Sequence, residues 1–183
     1  MNQTHRNRTN RLRLTVREIA VFAMLGALMM VSDLLMNILP NVHLVGVMIV
    51  TFTAVYRWKA LYPIYVYVFL IGLFEGFGTW WLPYLYIWAI LWALTMLIPR
   101  RTPRWLAPFL YAFVCGLHGF SFGLLWVPSQ MLLMSFSFEQ AMIWWSTGFF
   151  TADIPHGIGN LIGSTLIVPL VTLIRKLDKG LKQ

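Results

Sequence analysis

Fourteen Lys and Arg residues occupy four stations along the 183-residue chain and occur nowhere else. Arg6, Arg8, Arg11, Arg13 and Arg17 form the first, Arg57 and Lys59 the second, Arg100, Arg101 and Arg104 the third. Arg175, Lys176, Lys179 and Lys182 form the fourth. The intervening stretches, 18–56, 60–99 and 105–174, contain no basic residue. With 59% apolar and 11% charged residues overall, these stretches are too hydrophobic for a soluble domain and place the chain in the membrane class. Strands are excluded as the spanning element, because the apolar runs do not alternate and far exceed a barrel strand in length.

A spanning helix needs about 20 apolar residues, and cationic loops stay in the cytoplasm. Each stretch must then leave and return, so it holds an even number of spans. Two per stretch predict an all-α integral membrane protein of the cell membrane, with six transmembrane helices and both termini cytoplasmic. The helices are expected at 18–39, 44–57, 60–77, 81–98, 106–127 and 151–175. Residues 1–17 form a basic tail expected to be disordered, 18–175 the membrane domain, and 176–183 a second basic tail. Leu39-Pro40-Asn41 and Gly76-Phe77-Gly78 supply outer turns, while Pro99 and Pro103 frame an inner one. The first helix does not read as a cleaved signal peptide, since no small-x-small site follows its long apolar run. The formal charge of +8 then reflects topology anchors meeting anionic lipid, with no nucleic-acid partner. The single cysteine, Cys115, excludes an internal disulfide.

The third stretch is too long for a bare hairpin and predicts an extended outer loop over 128–150. Within it, Ser137-Phe138-Glu139-Gln140 has capping-box spacing, so a short helix at the outer surface is expected through Trp144 and Trp145. That Trp pair is either an interfacial anchor or part of a lid over a site.

Asp33, Glu75, Glu139 and Asp153 fall in the outer half together with His43, His118 and His156, and no Lys or Arg joins them. Ionisable groups at membrane depth usually face a cavity or a partner. A cavity here suits a neutral or cationic ligand. Asp153, His156 and Asn160 recur at i, i+3 and i+7 on one stripe, a candidate pocket wall, though Asp153 also fits a plain N-cap. The Asp/His spacing lacks a third ligand, so no metal site is assigned. The segment from Glu75 to Trp88 gathers Trp80, Trp81, Tyr84 and Tyr86 on a glycine-rich turn, matching either an interfacial belt or a ligand-contacting gate. On the first helix, Ala20, Ala23 and Ala27 lie within about 60° of one another, with Asp33 about 110° from their centre. Such a small-residue face permits close approach of another helix, either within the chain or from a partner.

No Gly-x-x-x-x-Gly-Lys-Ser/Thr loop, Gly-x-Ser-x-Gly elbow or His-Glu-x-x-His motif occurs, so neither ATP hydrolysis nor these catalytic chemistries are expected. Six spans without an internal repeat also make a free-standing secondary transporter hard to build.

With its length, its six expected spans, Ala23-Met-Leu-Gly-Ala27, and a last helix running from Asp153 past Asn160, the chain resembles the substrate-binding S-component of energy-coupling factor (ECF) vitamin transporters. The resemblance covers about residues 15–178. It implies a vitamin cavity open to the outside, with Ala23 and Ala27 docking onto a membrane coupling subunit driven by two cytoplasmic ATPases. The loops near 40–43 and 75–86 would gate the cavity. Tyr56-Arg57-Trp58-Lys59-Ala60 and Gly76-Phe-Gly-Thr-Trp-Trp-Leu-Pro-Tyr-Leu-Tyr look most like the cobalamin-specific branch. Cobalamin would be cargo, with no cofactor implied; thiamin or another neutral or cationic vitamin is the alternative. The substrate-binding residues expected on this basis are Asp33, His43, Glu75, Trp80, Trp81, Tyr84, Tyr86, Trp144, Trp145, Asp153, His156 and Asn160. Two other classes compete. A scaffold or sensor would bind no solute, and a small lipid enzyme would need an acid–base pair, for which Glu75 with His118 is the only nomination.

Overall fold

The structure is a computed structural model that describes residues 14–38 and 42–180. Arg6, Arg8, Arg11 and Arg13, the Leu39-Pro40-Asn41 turn and Lys182 lie outside the described residues. Those described are all-helical, with no strand among them. In chain order the α-helices are α1 (Val16–Met36), α2 (Val45–Tyr56), α3 (Leu61–Glu75), α4 (Tyr84–Met96) and α5 (Ala107–Phe120). They continue as α6 (Phe122–Leu133), α7 (Phe138–Gly148), α8 (Ile154–Gly163) and α9 (Ile167–Gly180).

Three helical runs are long and apolar enough to cross a membrane: Val16–Met36, Val45–Glu75 and Phe138–Asp178. The bent pair α5–α6, with 42° between its halves, is a fourth when taken as one span. Large apolar side chains cover much of the outside, as on α1, where Met24 and Leu35 are each 70% exposed. So much exposed apolar surface is compatible with lipid contact and hard to reconcile with water.

Thr15 and Glu18 close a capping box at the start of α1. Glu18 also pairs with Lys59, whose Nζ lies 2.5 Å from Oε1. Further along, Phe22 stacks on Tyr62, and a Cβ on Gly26 would meet Val66 at 2.5 Å. Asp33 accepts from the Tyr67 hydroxyl, so α1 and α3 run side by side in the same direction. Every residue of α2 from Val45 to Ala54 is buried, which makes it the central helix and explains why its sequence is apolar all round. Its two threonines, Thr51 and Thr53, return their hydroxyls to carbonyls one turn back.

Residues 45–75 are helical on both sides of Arg57, and the chain reverses there, so that Phe22 of α1 meets both Tyr56 and Tyr62. Arg57 has φ 56° and ψ −119°, a backbone region open mainly to glycine. Its guanidinium donates to the carbonyls of Ile98 (3.0 Å) and Met96 (2.6 Å), while Trp92 Nε1 donates to its carbonyl. The bonds hold the strained corner in place. Arg57→Ala should therefore lower stability by about 3 kcal/mol, the loss of two charge-assisted bonds with the strain kept. Arg57→Gly should lose about 1 kcal/mol less, because glycine relieves the backbone. Unfolding of the detergent-solubilised variants checks this, and equal losses would mean that the corner is unstrained.

The expected boundaries hold for the first four helices to within a few residues, but the third stretch differs. Residues 128–150 are not an extended loop. The α6 helix runs on to Leu133, and α7 begins at Phe138 with Ser137 as its N-cap and the expected capping box formed. The α7 helix is not a separate element. It passes through a π-turn at Phe149–Asp153 into α8 and α9 as one 41-residue run.

Candidate functional site

The two ends of the helix bundle differ in charge. Glu18, Lys59, Arg57, the Met96 and Ile98 carbonyls, and Arg175, which donates to the Ala54 carbonyl, meet at one end. Asp33, His43, Glu75 and His156 meet at the other, around a cavity of about 250 Å³. The sequence asymmetry thus becomes a spatial one.

Asn37 and Glu75 form the exposed rim of the cavity, and Val45, Tyr67, Ile71 and Trp88 its buried interior. Asp33 sits on the buried face of α1, where Oδ2 accepts from Tyr67 at 2.9 Å. Its Oδ1 lies 2.8 Å from His43 Nδ1, within ion-pair range but out of line for a hydrogen bond. The His43 ring is 5.7 Å from that of His156, which in turn stacks on Phe122 at 4.5 Å. Tyr84 packs edge-on against both Trp88 (5.5 Å) and Trp126 (6.3 Å) and completes an aromatic wall.

Three buried polar atoms among the described lining residues have no hydrogen-bond partner, and for His43 Nδ1 the contact with Asp33 is an ion pair only. Trp88 is 3% exposed and His156 4%, yet neither Trp88 Nε1 nor His156 Nε2 is hydrogen-bonded. A buried polar group without a partner costs about 1–3 kcal/mol, so the site is poised to satisfy one from a ligand. Among the described residues no group of three or more His, Cys, Asp or Glu is placed to hold a metal ion.

Of the residues expected to bind substrate, Asp33, His43, Glu75, Tyr84 and His156 line this cavity. The others have different surroundings. Trp81 donates to the Val68 carbonyl and pins the 76–83 turn to α3, and Trp80 packs on Tyr84. Tyr86 donates to the Leu125 carbonyl and ties α4 to α6. Trp144 is 49% exposed, whereas Trp145 Nε1 donates to Asp153 Oδ2. The other oxygen of Asp153 accepts from the Gly123 amide, so this buried acid clamps α7 to α6. It does not line the cavity, and its side chain caps the first turn of α6 and not its own helix α8. Asn160 is fully buried and donates to the Cys115 carbonyl, joining α8 to α5. The i, i+3, i+7 stripe is therefore split, with only His156 facing the cavity. The nominated partner of Glu75 is absent from the cavity too, for His118 is buried with Nε2 against the Ile87 carbonyl.

Sequence reasoning missed Tyr67, Asn37, Trp88, Phe122 and Trp126. Trp88 belonged to the aromatic segment already singled out. Tyr67 carried no signal, being one of several tyrosines on α3, and only the parallel packing of α1 and α3 pairs it with Asp33. Ala23 and Ala27 are exposed, while Phe22, Gly26, Met29 and Asp33 form the buried face. The small stripe is thus not a packing seam within the chain.

No protein-family model matches this chain, and no match was found among curated proteins or solved structures.

Proposed function

We propose that this chain is the vitamin-capturing S-component of an ECF-type importer, spanning the cell membrane six times with both termini in the cytoplasm. The observation that carries the proposal is the acidic, aromatic cavity at the end opposite the basic cluster, with Trp88 Nε1 and His156 Nε2 buried and unbonded in its lining. Capture without an engine of its own requires partners, and the exposed Ala23/Ala27 stripe supplies a surface for a membrane coupling subunit served by two cytoplasmic ATPases. Neither catalysis nor a resident cofactor enters this proposal.

Two carboxylates, two imidazoles and five aromatic side chains, with no Lys or Arg among the described lining residues, favour a ring-bearing ligand of neutral or positive charge. At about 250 Å³ the cavity suits a small cationic vitamin such as thiamin as it stands. Cobalamin, which the sequence resemblance favours, is several times larger. One observation keeps it in view: His43 borders both this cavity and an apolar groove of about 650 Å³ against α8. A shift of the 42–44 segment would join the two.

Calorimetric titration of the purified chain with a panel of water-soluble vitamins, cobalamin and thiamin first, tests the proposal. One vitamin is expected to bind tightly and saturably. No binding across the panel would favour a scaffold or sensor and overturn the capture role.

A further inference from the structure

We propose that the groove between the 99–106 turn and α9 is a binding site for the headgroup of an anionic phospholipid carrying two phosphates. The groove encloses about 550 Å³, and its lining brings Arg100 and Arg104 from one wall together with Arg175 and Lys176 from the other. Among the described residues no carboxylate lines it. The acids at this end lie elsewhere: Glu18 pairs with Lys59, and Asp178 lines a separate groove together with Glu18. Four uncompensated cations exceed what one phosphodiester neutralises, and their placement on two walls matches a ligand with two anionic centres.

The walls are built to keep their shape. Pro99 and Pro103 fix backbone angles in the turn, and Thr102 closes it by donating to the Pro99 carbonyl at 2.7 Å. The Leu106 and Ala107 amides both bond to the Pro103 carbonyl. On the other side Arg175 is anchored through Nη2 to the Ala54 carbonyl. A soluble polyphosphate would need only the charge. This groove also has an apolar floor of Ala107, Val168 and Val171, and Trp105 and Phe109 beside it are 72% and 69% exposed. Exposed aromatics next to a cationic rim mark the boundary between headgroups and acyl chains, where a lipid presents both chemistries at once.

The test is native mass spectrometry of the full chain released from bilayer discs of phosphatidylcholine doped with diphosphatidylglycerol. The wild type is expected to retain one diphosphatidylglycerol selectively. The exposed pair Arg100→Gln/Arg104→Gln, and separately Lys176→Gln on the opposite wall, should cut retention, the pair by about tenfold or more. Arg101→Gln, outside the groove lining, should leave it within about twofold, since a general surface field falls with any cation while a site depends on particular ones. Equal losses for Arg101→Gln and the groove variants would overturn the proposal, as would unchanged retention in all three. Displacement of the lipid by inorganic pyrophosphate would overturn the lipid assignment and leave a soluble diphosphate as the ligand.

Discussion

Asp33→Asn is expected to weaken binding of the captured vitamin by about 10- to 100-fold, the worth of one charge-assisted hydrogen bond in a buried site. The substitution is chosen because it separates two roles. An amide oxygen still accepts from the Tyr67 hydroxyl, so the α1–α3 contact at 2.9 Å survives while the negative charge is lost. Titration calorimetry reads the affinity and thermal unfolding the stability, and only the affinity should change. If stability falls while affinity holds, the carboxylate serves packing alone and the cavity is not the capture site. Tyr67→Phe makes the reverse test. It keeps the charge and removes the bond that orients it, and should cost less affinity than Asp33→Asn.

The second large effect concerns transport without binding. Ala23→Leu combined with Ala27→Leu should reduce vitamin uptake in cells about tenfold or more, while the isolated chain binds its vitamin as before. Both alanines are exposed, so leucine at these positions meets only lipid in the lone chain and carries no folding cost. Against a partner helix the same side chains would hold the backbones apart. Gly26, one turn away on the buried face, gives the contrast. A Cβ there would lie 2.5 Å from Val66 and 2.9 Å from the Pro63 carbonyl, so Gly26→Leu should damage folding itself. Uptake and binding lost together in the double-alanine variant would mean that the stripe supports the fold and does not dock.

The contrast between Ala23 and Gly26 also shows how far the sequence reaches. Periodicity placed the small residues and Asp33 on different faces of α1, because 100° per residue is a property of any α-helix. It could not say which face meets protein and which meets lipid, since a membrane removes the apolar-in, polar-out rule that decides this in water. The Asp153 stripe failed for a related reason. Three residues on one arc of a helix face similar directions, but the depth at which each meets a neighbour separates them. Asp153 reaches Trp145 and Gly123, His156 the cavity, and Asn160 the Cys115 carbonyl. The capping box at Ser137 was legible because it is local, closed by residues three apart.

What the sequence determined alone was helical class, membrane character and the segregation of charge, since each follows from composition and spacing along one chain. Basic residues confined to four stations, with Asp33, Glu75, Glu139 and Asp153 well away from them, dictate opposite ends as soon as the chain folds back at those stations. Tertiary structure decided the rest. It made Arg57 a strained corner, turned the third stretch from Phe138 onward into a continuous helical run, and assembled a polar cavity from Asp33, Tyr67, His43 and His156. These four side chains are separated by up to 123 positions, and no local rule spans that distance. Only the packing of α1 against α3, with α8 closing the far side, brings them within reach of one ligand.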